Sequence, residues 1–455
     1  MKKLRDAVAG PVLLPGDEGY AAEVASFDLN QPVRPAAAVG VTGAADVRAA
    51  VGFAARQHLP VAIRGGGHQV VTGEQDAILI NTARMQDVRI DPGARTCRVE
   101  AGVRWGTVAA EAAKYGLAPA SGSSPRVGVV GYTLGGGQSP VFARSQGYAA
   151  DHVRRLDVVT ADGQSRAVTP HSEPDLYWAL LGGKSNFGVV TAIEFDLFEL
   201  TEFYGGGIFF PGERAADVLD AWRRWAPGLP EQATTSVGVM RLPPMPDLPE
   251  PLRGAFVVHV RYAYLGAADE GERLLAPIRA AGTPLMDGVR LMPYTDNPLI
   301  HMDPMEPIPF YDRTTTLREF SPEVLDALIG FAGPGSGNPL LGIEIRALGG
   351  ALDREPAAPN AVPTRGVPYI VFGLAVGGPD QADPLRDWLD RMVRLFDPWA
   401  VDDRRMINFL SKEEAATPEQ VRLVYGADRY DRLARIKHDV DPENIFRMNH
   451  NIRPA

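Results

Sequence analysis

Three glycine-rich segments constrain the fold of this 455-residue chain more than any other feature of its sequence. The first, RGGGH at residues 64–68, directly follows a buried-type strand at 60–64. The second covers residues 121–137, and the third covers residues 181–191. Consecutive glycines adopt backbone angles that other residues resist, so neighbouring N–H groups can converge on an anion such as a pyrophosphate. Each segment is therefore interpreted either as a phosphate-binding loop or as an ordinary tight turn.

The three segments do not match the common nucleotide-binding signatures. A GxGxxG run that opens a helix, the mark of nicotinamide-dinucleotide domains, is absent. Gly183, Lys184 and Ser185 match the end of the phosphate loop GxxxxGK[ST], but Trp178 stands where its first glycine belongs. Both the nicotinamide and the P-loop classes are therefore excluded.

Charge and cysteine content exclude further classes. The chain has 46 Lys and Arg against 56 Asp and Glu, a net charge of −10, which argues against nucleic acid or an anionic membrane as a partner. The single cysteine, Cys97, excludes an intramolecular disulfide and a cysteine-built metal site. The histidines show no ligand spacing, so no metal is predicted. Pro11 and Pro15 interrupt the N-terminal apolar residues, so no signal peptide is predicted and we expect a cytoplasmic protein.

The pattern of strands and helices changes near residue 200 and again near residue 404, which predicts three segments. Residues 1–198, with a core at about 31–198, alternate short apolar strands with helices around the glycine segments. Residues 199–403 alternate long strands with apolar helices, which is typical of an antiparallel sheet covered by helices. Residues 404–455 add a polar helix at 418–438 and a tail rich in proline and asparagine.

The middle segment allows individual elements to be predicted. The predicted strands are 203–210, 254–264, 341–348 and 369–376. The predicted helices are 215–225, 322–331 and 384–396. Asp383 is predicted to cap the last of these helices, with Pro384 at its first position.

Six motifs in the first 198 residues and a group near the C-terminus together resemble one known family. The chain is similar to the FAD-linked oxidases of the vanillyl-alcohol oxidase superfamily, and within it to the berberine-bridge-enzyme-like branch. The motifs are RGGGH at 64–68, the glycine run at 127–137, AAD at 149–151, VVTADG at 158–163, PDLYWAL at 174–180, NFGVVT at 186–191, and the C-terminal YG, YDRL, IK, DPENIFR and NHNI between 425 and 452. The resemblance covers residues 30–198 and 404–455 closely and the middle loosely.

The resemblance implies an α+β fold. It places a two-subdomain PCMH-type FAD-binding domain at 1–198 and an antiparallel-sheet substrate domain with covering helices at 199–403. A C-terminal segment at 404–455 is expected to return to the FAD domain. It implies FAD as cofactor. The residues that match its cofactor-binding motifs are Arg64, Gly65, Gly66, Gly67, His68, Gln69, Gly122, Ser124, Val127, Gly128, Gly131, Tyr132, Gly135, Asp151, Gly183, Asn186, Gly188, Val189, Val190, Asn408 and Asn449. Lys184 would either add positive charge near the pyrophosphate or be solvated.

The resemblance also implies how the flavin is attached. His68 matches the histidine that is bonded to the flavin 8α-methyl carbon in the family. This role suits a neutral imidazole, because a neutral imidazole is a good nucleophile. The alternative is that His68 only donates or accepts hydrogen bonds. Many relatives add a cysteine tether, whose place Ser124 occupies here, so a single tether through His68 is expected. Val127 stands where side-chain size separates oxidases from dehydrogenases, and valine is of the oxidase type.

The main departure from the family is at the expected catalytic base. Relatives often carry Tyr-x-Asn before the terminal helix, whereas this chain has Met406 in place of the tyrosine and keeps Asn408. A positioned general base contributes about 10²–10⁴ in rate, and methionine cannot accept a proton. The candidates for catalytic roles are Asn408, Tyr132, Glu344 and Tyr369, with Tyr262, Tyr294, His301, Tyr311 and Arg346 as further residues of the expected substrate sheet. Glu344 and Arg346 share a strand face and either orient a substrate or pair with each other.

The expected function is FAD-dependent oxidation of a small or medium organic molecule, a secondary metabolite, with hydride transfer to flavin N5 and reoxidation by O₂ to H₂O₂. The alternatives are a flavin-dependent oxygenase, a redox-neutral cyclase or rearrangement enzyme, and a flavoprotein without activity. The expected partners are the substrate and O₂, in a monomer or homodimer. The candidate pocket residues favour an apolar, aromatic-compatible ligand over a sugar.

Overall fold

The structure is a computed structural model, and it describes residues 1–31, 33–69 and 76–455. The strands of this part are β1 Val12–Leu13, β2 Ala37–Gly40, β3 Val61–Arg64, β4 Ile78–Asn81, β5 Val88–Asp91, β6 Thr96–Glu100, β7 Leu117–Ala118, β8 Val153–Val159, β9 Ser165–Val168, β10 Val189–Asp196, β11 Phe198–Glu199, β12 Glu202–Pro211, β13 Ala233–Arg241, β14 Phe256–Tyr264, β15 Met286–Asp287, β16 Arg290–Pro293, β17 Phe310–Leu317, β18 Gly342–Ala347 and β19 Tyr369–Val376. Its α-helices are α1 Lys2–Arg5, α2 Tyr20–Val24, α3 Ala44–Arg56, α4 Trp105–Ala113, α5 Val129–Leu134, α6 Ala143–Gln146, α7 Pro174–Gly183, α8 Ala215–Trp225, α9 Ala268–Arg279, α10 Pro322–Ala332, α11 Ala382–Phe396, α12 Pro418–Tyr425 and α13 Ala427–Val440.

The first glycine segment follows a small, mostly parallel sheet. Its strand order is β1–β2–β4–β3, in which β2, β4 and β3 run parallel. Helix α3 connects β2 to β3, as a parallel crossover requires, and buries Val47, Ala50, Val51 and Ala54. Because β3 ends at Arg64, the RGGGH segment begins at the carboxyl end of this sheet.

The other two glycine segments flank a five-stranded antiparallel sheet with the order β5–β6–β10–β8–β9. Helix α5 lies within the second segment, and the third segment joins α7 to β10. Gly188, at the start of β10, has a φ of +148°, and a Cβ there would lie 2.6 Å from the carbonyl oxygen of Val159 in β8. Only glycine therefore allows the third segment to enter the sheet at this point.

A large antiparallel sheet forms the rest of the fold. Its order is β15–β12–β14–β13–β18–β19–β17, and β16 also pairs with β12. Helices α8 to α11 cover its outer face, with Trp222, Leu275, Leu328 and Leu389 in the shared core. Since successive residues of a strand point to opposite faces, the alternate residues face the glycine segments. We call this second face the inner face of the large sheet.

The predicted architecture is confirmed. The chain has a mixed α+β fold with antiparallel sheets and covering helices, and the four strands predicted in the middle segment correspond to β12, β14, β18 and β19. Strands β13 and β17 are missed because their sequences, ATTSVGVMR and FYDRTTTL, contain threonine runs and little apolar alternation. The segment bounds at 1–198, 199–403 and 404–455 stay a prediction.

Two details of the predicted helices are wrong. Helix α11 begins at Ala382 after Gln381, so Asp383 lies inside the first turn and does not cap the helix. The single helix predicted at 418–438 is divided into α12 and α13, because Gly426 between them has a φ of +78°. A residue in the left-handed region ends an α-helix, and glycine adopts it without steric cost.

Helix lengths and side-chain groupings in the described ranges bear on membranes and metals. None of the helices found there is both long and apolar enough to cross a bilayer. No group of three or more His, Cys, Asp or Glu side chains within them is placed to hold a metal ion. The cytoplasmic location and the oligomeric state stay predictions.

Candidate active site

A cavity of about 410 Å³ lies where the three glycine segments, the C-terminal segment and the inner face of the large sheet meet. Most of the site residues predicted from the sequence line it. They are Gly65, Gly66, Gly67, His68, Gln69, Gly122, Ser124, Val127, Gly128, Gly131, Tyr132, Gly183, Asn186, Gly188, Val190, Glu344, Asn408 and Asn449. Residues from all three predicted segments thus meet at one place.

Two predicted site residues lie away from this cavity. Tyr369 is on the outer face of the large sheet, where its ring lies 6.3 Å from that of Trp222 and 6.4 Å from that of Phe320. Asp151 forms a buried ion pair with Arg365, whose Nη2 lies 2.6 Å from Asp151 Oδ1. The structure therefore gives Tyr369 no access to a bound substrate and gives Asp151 a structural role.

Three other predicted cofactor residues support the cavity wall from behind. Arg64 Nη1 donates to the carbonyl oxygen of Glu23 at 2.8 Å and so holds the start of the first glycine segment. Gly135 has no room for a side chain, because a Cβ would lie 2.7 Å from Asn408 Nδ2. Val189 is buried in the core beneath the small parallel sheet. These residues shape the site without lining it.

The first and second glycine segments touch backbone to backbone. A Cβ on Gly66 would lie 2.6 Å from the amide nitrogen of Gly128, and a Cβ on Gly128 would lie 2.9 Å from that of Gly66. A side chain at either position would therefore push the two segments apart. At Gly131, which lines the cavity, the space for a Cβ is open, so the missing side chain leaves room for a ligand.

His68 lies in the cavity wall as a neutral imidazole. Its ring stacks on Phe27, with the centroids 4.1 Å apart and the planes at 17°. Burial, and then the positive charge of Arg104, lowers the pKa of His68 to about 4. The ring nitrogens are therefore not both protonated at neutral pH, so one of them keeps a lone pair.

Gln69 connects the first glycine segment to the C-terminal segment. Its Nε2 donates to the carbonyl oxygens of Ile407 at 3.0 Å and Leu410 at 2.7 Å, and its Oε1 accepts a hydrogen bond from Lys184 Nζ. Burial lowers the pKa of Lys184 to about 7. Lys184 therefore lies half-buried in the cavity wall, with its amine hydrogen-bonded to Gln69.

Asn408 and Asn186 line the cavity, but their amides bind other parts of the protein. Asn408 Nδ2 donates to the carbonyl oxygen of Tyr132, and its Oδ1 accepts from the amide of Gly137, both at 3.0 Å. Asn186 Oδ1 accepts from the amide of Ile452 at 2.9 Å. These contacts fix the second and third glycine segments, so we assign both asparagines to the shape of the site.

A buried ion pair holds the C-terminal segment against the third glycine segment. Lys437 Nζ donates to Asp441 Oδ2 at 2.6 Å and to the carbonyl oxygen of Asn186 at 2.5 Å. Asp441 also accepts from the amides of Ile445 and Phe446, each at 2.9 Å. Both charged side chains are fully buried, so each depends on the other for compensation.

Replacing Lys437 with methionine is expected to lower the free energy of unfolding by about 3–5 kcal/mol, because Asp441 would remain as an uncompensated buried charge. Urea unfolding followed by circular dichroism measures this loss. Lys114→Met is the matched control, since Lys114 pairs with Glu111 at the protein surface and its loss should change stability little. Equal destabilisation of the two variants would contradict the role given to Lys437.

Tyr132 presents an unpaired hydroxyl to the cavity. Its ring packs edge-on against Trp105, with the centroids 5.4 Å apart, and Gly122 makes room for it, since a Cβ there would lie 2.9 Å from the ring. The hydroxyl has no hydrogen-bond partner within the described ranges. Burial raises the pKa of Tyr132 well above its ordinary value. The hydroxyl therefore stays protonated and can donate a hydrogen bond, but it is a poor base.

Glu344 lies between two buried arginines on the inner face of the large sheet. Arg261 Nη1 is 3.1 Å from Glu344 Oε1, and Arg346 Nη2 is 3.0 Å from Glu344 Oε2. Burial by itself would raise the pKa of Glu344, but Arg261 and Arg346 outweigh it and hold that pKa well below its ordinary value. Glu344 and Arg346 thus pair with each other, and all three charged groups line the cavity.

His301 lies beside this cluster. Its Nε2 is 3.4 Å from Glu344 Oε1, and neither ring nitrogen has a hydrogen-bond partner in the described part of the chain. Burial, followed by the charge of Arg261, lowers the pKa of His301, so the imidazole is neutral at pH 7. A neutral imidazole beside a carboxylate can take up a proton, because the carboxylate stabilises the imidazolium that forms.

The other candidate tyrosines of the large sheet lie outside the cavity lining: Tyr262, Tyr294 and Tyr311.

Apolar side chains complete the cavity wall on the side of the large sheet. The rings of Phe372 and Phe409 lie 4.7 Å apart, and the Arg346 guanidinium lies 4.7 Å from the Phe409 ring centre. Met406 is buried and lines the same space. Arg261 and Phe409 are not predicted from the sequence, although a charged residue inside the apolar strand FVVHVRYAY is a signal that could have identified Arg261.

The residues on the glycine side fit the FAD expected from the sequence. Besides the space at Gly131, this side has buried polar atoms without a partner among the described residues, namely Tyr132 Oη, Asn449 Oδ1 and His450 Nδ1. Lys184 and the neutral His68 line the same side. A flavin nucleotide carries polar groups that can satisfy such atoms, whereas a purely apolar ligand does not.

Comparison with known proteins finds two matching domain families. The FAD binding domain family matches residues 35–169, and the family described as berberine and berberine like matches residues 407–453. The (R)-6-hydroxynicotine oxidase of Paenarthrobacter nicotinovorans is 28% identical over 472 residues, which cover 98% of this chain and 97% of that protein. An FAD-dependent monooxygenase of Fusarium proliferatum is 38% identical over 179 residues, 39% of this chain and 34% of that protein.

A solved structure has the same fold throughout. The crystal structure of 6-hydroxy-D-nicotine oxidase from Arthrobacter nicotinovorans superimposes with a TM-score of 0.80 at 26% identity, over 98% of each chain. The match therefore includes the large sheet, for which the sequence resemblance is only loose. The chain therefore carries the FAD binding domain and the berberine-like C-terminal domain, and its full-length relatives include FAD-linked oxidases.

Proposed function

We propose that this protein oxidises a small or medium organic molecule, using FAD held in the cavity and O₂ as electron acceptor. The observation that supports this most strongly is the shared cavity, because one wall suits a flavin nucleotide and the other carries a proton-accepting pair. The substrate loses two electrons and two protons, and O₂ gains both to become H₂O₂. The reaction therefore balances without a further reactant.

The first glycine segment, with His68 and Gln69, together with Asn449 and the second glycine segment, would hold the cofactor. When bound, FAD supplies the hydride acceptor, flavin N5. We further propose that the flavin is attached covalently through His68 alone. The neutral imidazole supports this attachment. A second tether has no support, since Ser124 stands at its position and Cys97, whose pKa burial raises to about 12, lies in strand β6.

His301 and Glu344 would take the place of the missing tyrosine base. His301 would accept the proton that leaves the substrate hydroxyl or amine, and Glu344 would stabilise the resulting imidazolium from 3.4 Å. Glu344 itself is a weaker candidate base, because the two arginines hold its pKa so low. Tyr132 would donate a hydrogen bond to the substrate or cofactor from the opposite wall.

Oxygen insertion is the second candidate function. It is favoured by Met406, which removes the usual tyrosine, and by the similarity to a protein named as an FAD-dependent monooxygenase. The two functions differ in where the oxygen atoms of O₂ finish. Oxidation leaves them both in H₂O₂, whereas monooxygenation places one of them in the product.

A mass balance distinguishes the candidates. The purified protein is screened against alcohols and amines with ¹⁸O₂, and O₂ consumption, H₂O₂ and product mass are measured together. We expect one H₂O₂ for each O₂ consumed and a product two hydrogens lighter than the substrate. A product that carries ¹⁸O, or one of unchanged mass, would contradict the oxidase proposal.

A further inference from the structure

The charged cluster on the inner face of the large sheet carries one more positive charge than negative. Arg261 and Arg346 flank the single carboxylate of Glu344, and His301 beside them is neutral at pH 7. All four side chains are buried. Burying an uncompensated charge is unfavourable, so an arrangement of this kind is stabilised when an anion binds beside it.

The two arginines also keep unused hydrogen-bond donors. Arg261 Nε and Arg346 Nε are buried and have no hydrogen-bond partner in the described part of the protein. Ser236, in strand β13 between the two arginine-bearing strands, has an unpartnered hydroxyl as well. A guanidinium presents donors in a planar arrangement that matches the two oxygens of a carboxylate.

Within the described ranges, the other acidic residues of the cavity lining form no ion pair with Arg261 or Arg346. Burial and the neighbouring Glu414 raise the pKa of Asp312 well above its ordinary value, which disfavours the charged form of its carboxyl group. Asp303 is partly exposed and accepts a hydrogen bond from Ser123 Oγ at 2.5 Å. Lys184 is on the glycine side and adds positive charge when it is protonated.

The surroundings of the two arginines are apolar. Met240, Phe372, Leu374 and Phe409 line the same side of the cavity, and Phe409 lies against the Arg346 guanidinium. A ligand that fits this wall therefore combines an apolar or aromatic body with a single negative charge. A phosphate dianion would exceed the local positive charge, whereas a carboxylate balances it.

We propose that Arg261 and Arg346 form a binding subsite for the carboxylate of the substrate, which makes the substrate an aromatic or otherwise apolar carboxylic acid. This inference rests on the proposed function, because it places the substrate in the cavity beside the cofactor. The carboxylate would receive hydrogen bonds from the unused guanidinium donors. His301 would remain free to accept the proton from the carbon-bound hydroxyl or amine.

Calorimetric titration of the FAD-containing protein with phenylacetate and with phenylacetamide tests the subsite. The two probes have nearly the same shape, but only the first is charged at neutral pH. We expect phenylacetate to bind about 10- to 100-fold more tightly. Equal affinities, or tighter binding of the amide, would overturn the proposal, and this comparison requires no variant.

Arg346→Gln and Arg261→Gln are expected to remove the preference for phenylacetate while leaving the affinity for phenylacetamide within a few-fold. Arg241→Gln is the matched control, because Arg241 is a sheet arginine that donates to the carbonyl oxygen of Ala332, away from the cavity. A preference that survives in both Arg346→Gln and Arg261→Gln would also overturn the proposal.

The titration separates this subsite from the oxidase proposal, because binding is measured without turnover. Selective carboxylate binding without H₂O₂ formation from any acid, alcohol or amine would contradict the oxidase proposal alone. H₂O₂ formation from neutral substrates without carboxylate selectivity would contradict the subsite alone.

Discussion

His68→Ala is expected to abolish covalent flavin attachment. In wild-type protein precipitated with acid, the yellow colour should remain in the pellet, whereas in the variant all FAD should appear in the supernatant. The reason is that His68 lines the cavity as a neutral, nucleophilic imidazole, while Ser124 and Cys97 offer no comparable group. Flavin absorbance of pellet and supernatant measures the distribution.

The native variant should still contain FAD, because the glycine segments and Asn449 do not depend on the His68 ring. Its turnover should fall, since a covalent bond fixes the position and raises the redox potential of the flavin. His171→Ala, at an exposed loop, is the control and should keep its flavin in the pellet. A His68→Ala pellet that stays yellow would show that another residue is the tether.

His301→Gln is expected to lower the rate of flavin reduction by about 10²–10⁴, the range associated with a positioned general base. Glutamine keeps a polar side chain of similar reach but cannot accept the proton. In the wild type, the base form of His301 is lost only when the pH falls below the lowered pKa of this residue. The decline of the rate at acid pH, the acid limb of the profile, should therefore lie below pH 6.5, the ordinary pKa of a histidine. Anaerobic stopped-flow measurement of flavin bleaching gives both results.

His259→Gln is the matched control for this variant. His259 is also buried on the inner face of the large sheet, but it stacks on Phe209 with the ring centres 3.8 Å apart and does not line the cavity. Its replacement should leave the pH profile of flavin reduction unchanged. If His301→Gln reduced the flavin at the wild-type rate and with the same acid limb, His301 could not be the base.

The variant Glu344→Gln distinguishes a positioning role of Glu344 from a purely structural role. Glu344 would act through His301, so its amide variant should lower the pKa of His301 further and move the acid limb to still lower pH. A variant that lost activity only because the sheet was disturbed would lower the rate at every pH without moving the limb. The pH profile therefore tests the assigned role.

Features that depend on neighbouring residues in the chain were predictable from the sequence. The glycine segments, His68 and the tail around Asn449 belong to contiguous motifs, and the structure brings all of them to one cavity. The close approach of Gly66 and Gly128 also explains why glycine is needed there, since both positions exclude a Cβ. Local backbone requirements of this kind appear directly in the sequence.

Features that depend on strand register were not predictable. Glu344 and Tyr369 both fall in predicted strands, but Tyr369 pairs with Ala347 and therefore shares the outer face with it, opposite to Glu344. A shift of one residue in register exchanges the two faces, and the sequence does not specify it. For the same reason the cluster of Arg261, Glu344 and His301, drawn from three distant parts of the chain, emerges only in the structure.

Asn408 shows a further limit of predicting the site from the sequence. Its position in the C-terminal motif predicts a place beside the cofactor, and it does line the cavity. Its amide, however, is occupied by the backbone of Tyr132 and Gly137. A motif predicts where a residue lies. The hydrogen-bond partners of that residue determine which of its polar groups remain free to react.

Peptide mapping of the FAD-containing protein tests the central claim most directly. Trypsin cleaves after Arg64 and Arg84, so residues 65–84 form one peptide that contains His68 as its single histidine. We expect mass spectrometry to find this peptide heavier by one FAD, with fragment ions that place the flavin on His68. An unmodified peptide with FAD released on denaturation, or flavin on any other peptide, would contradict the account.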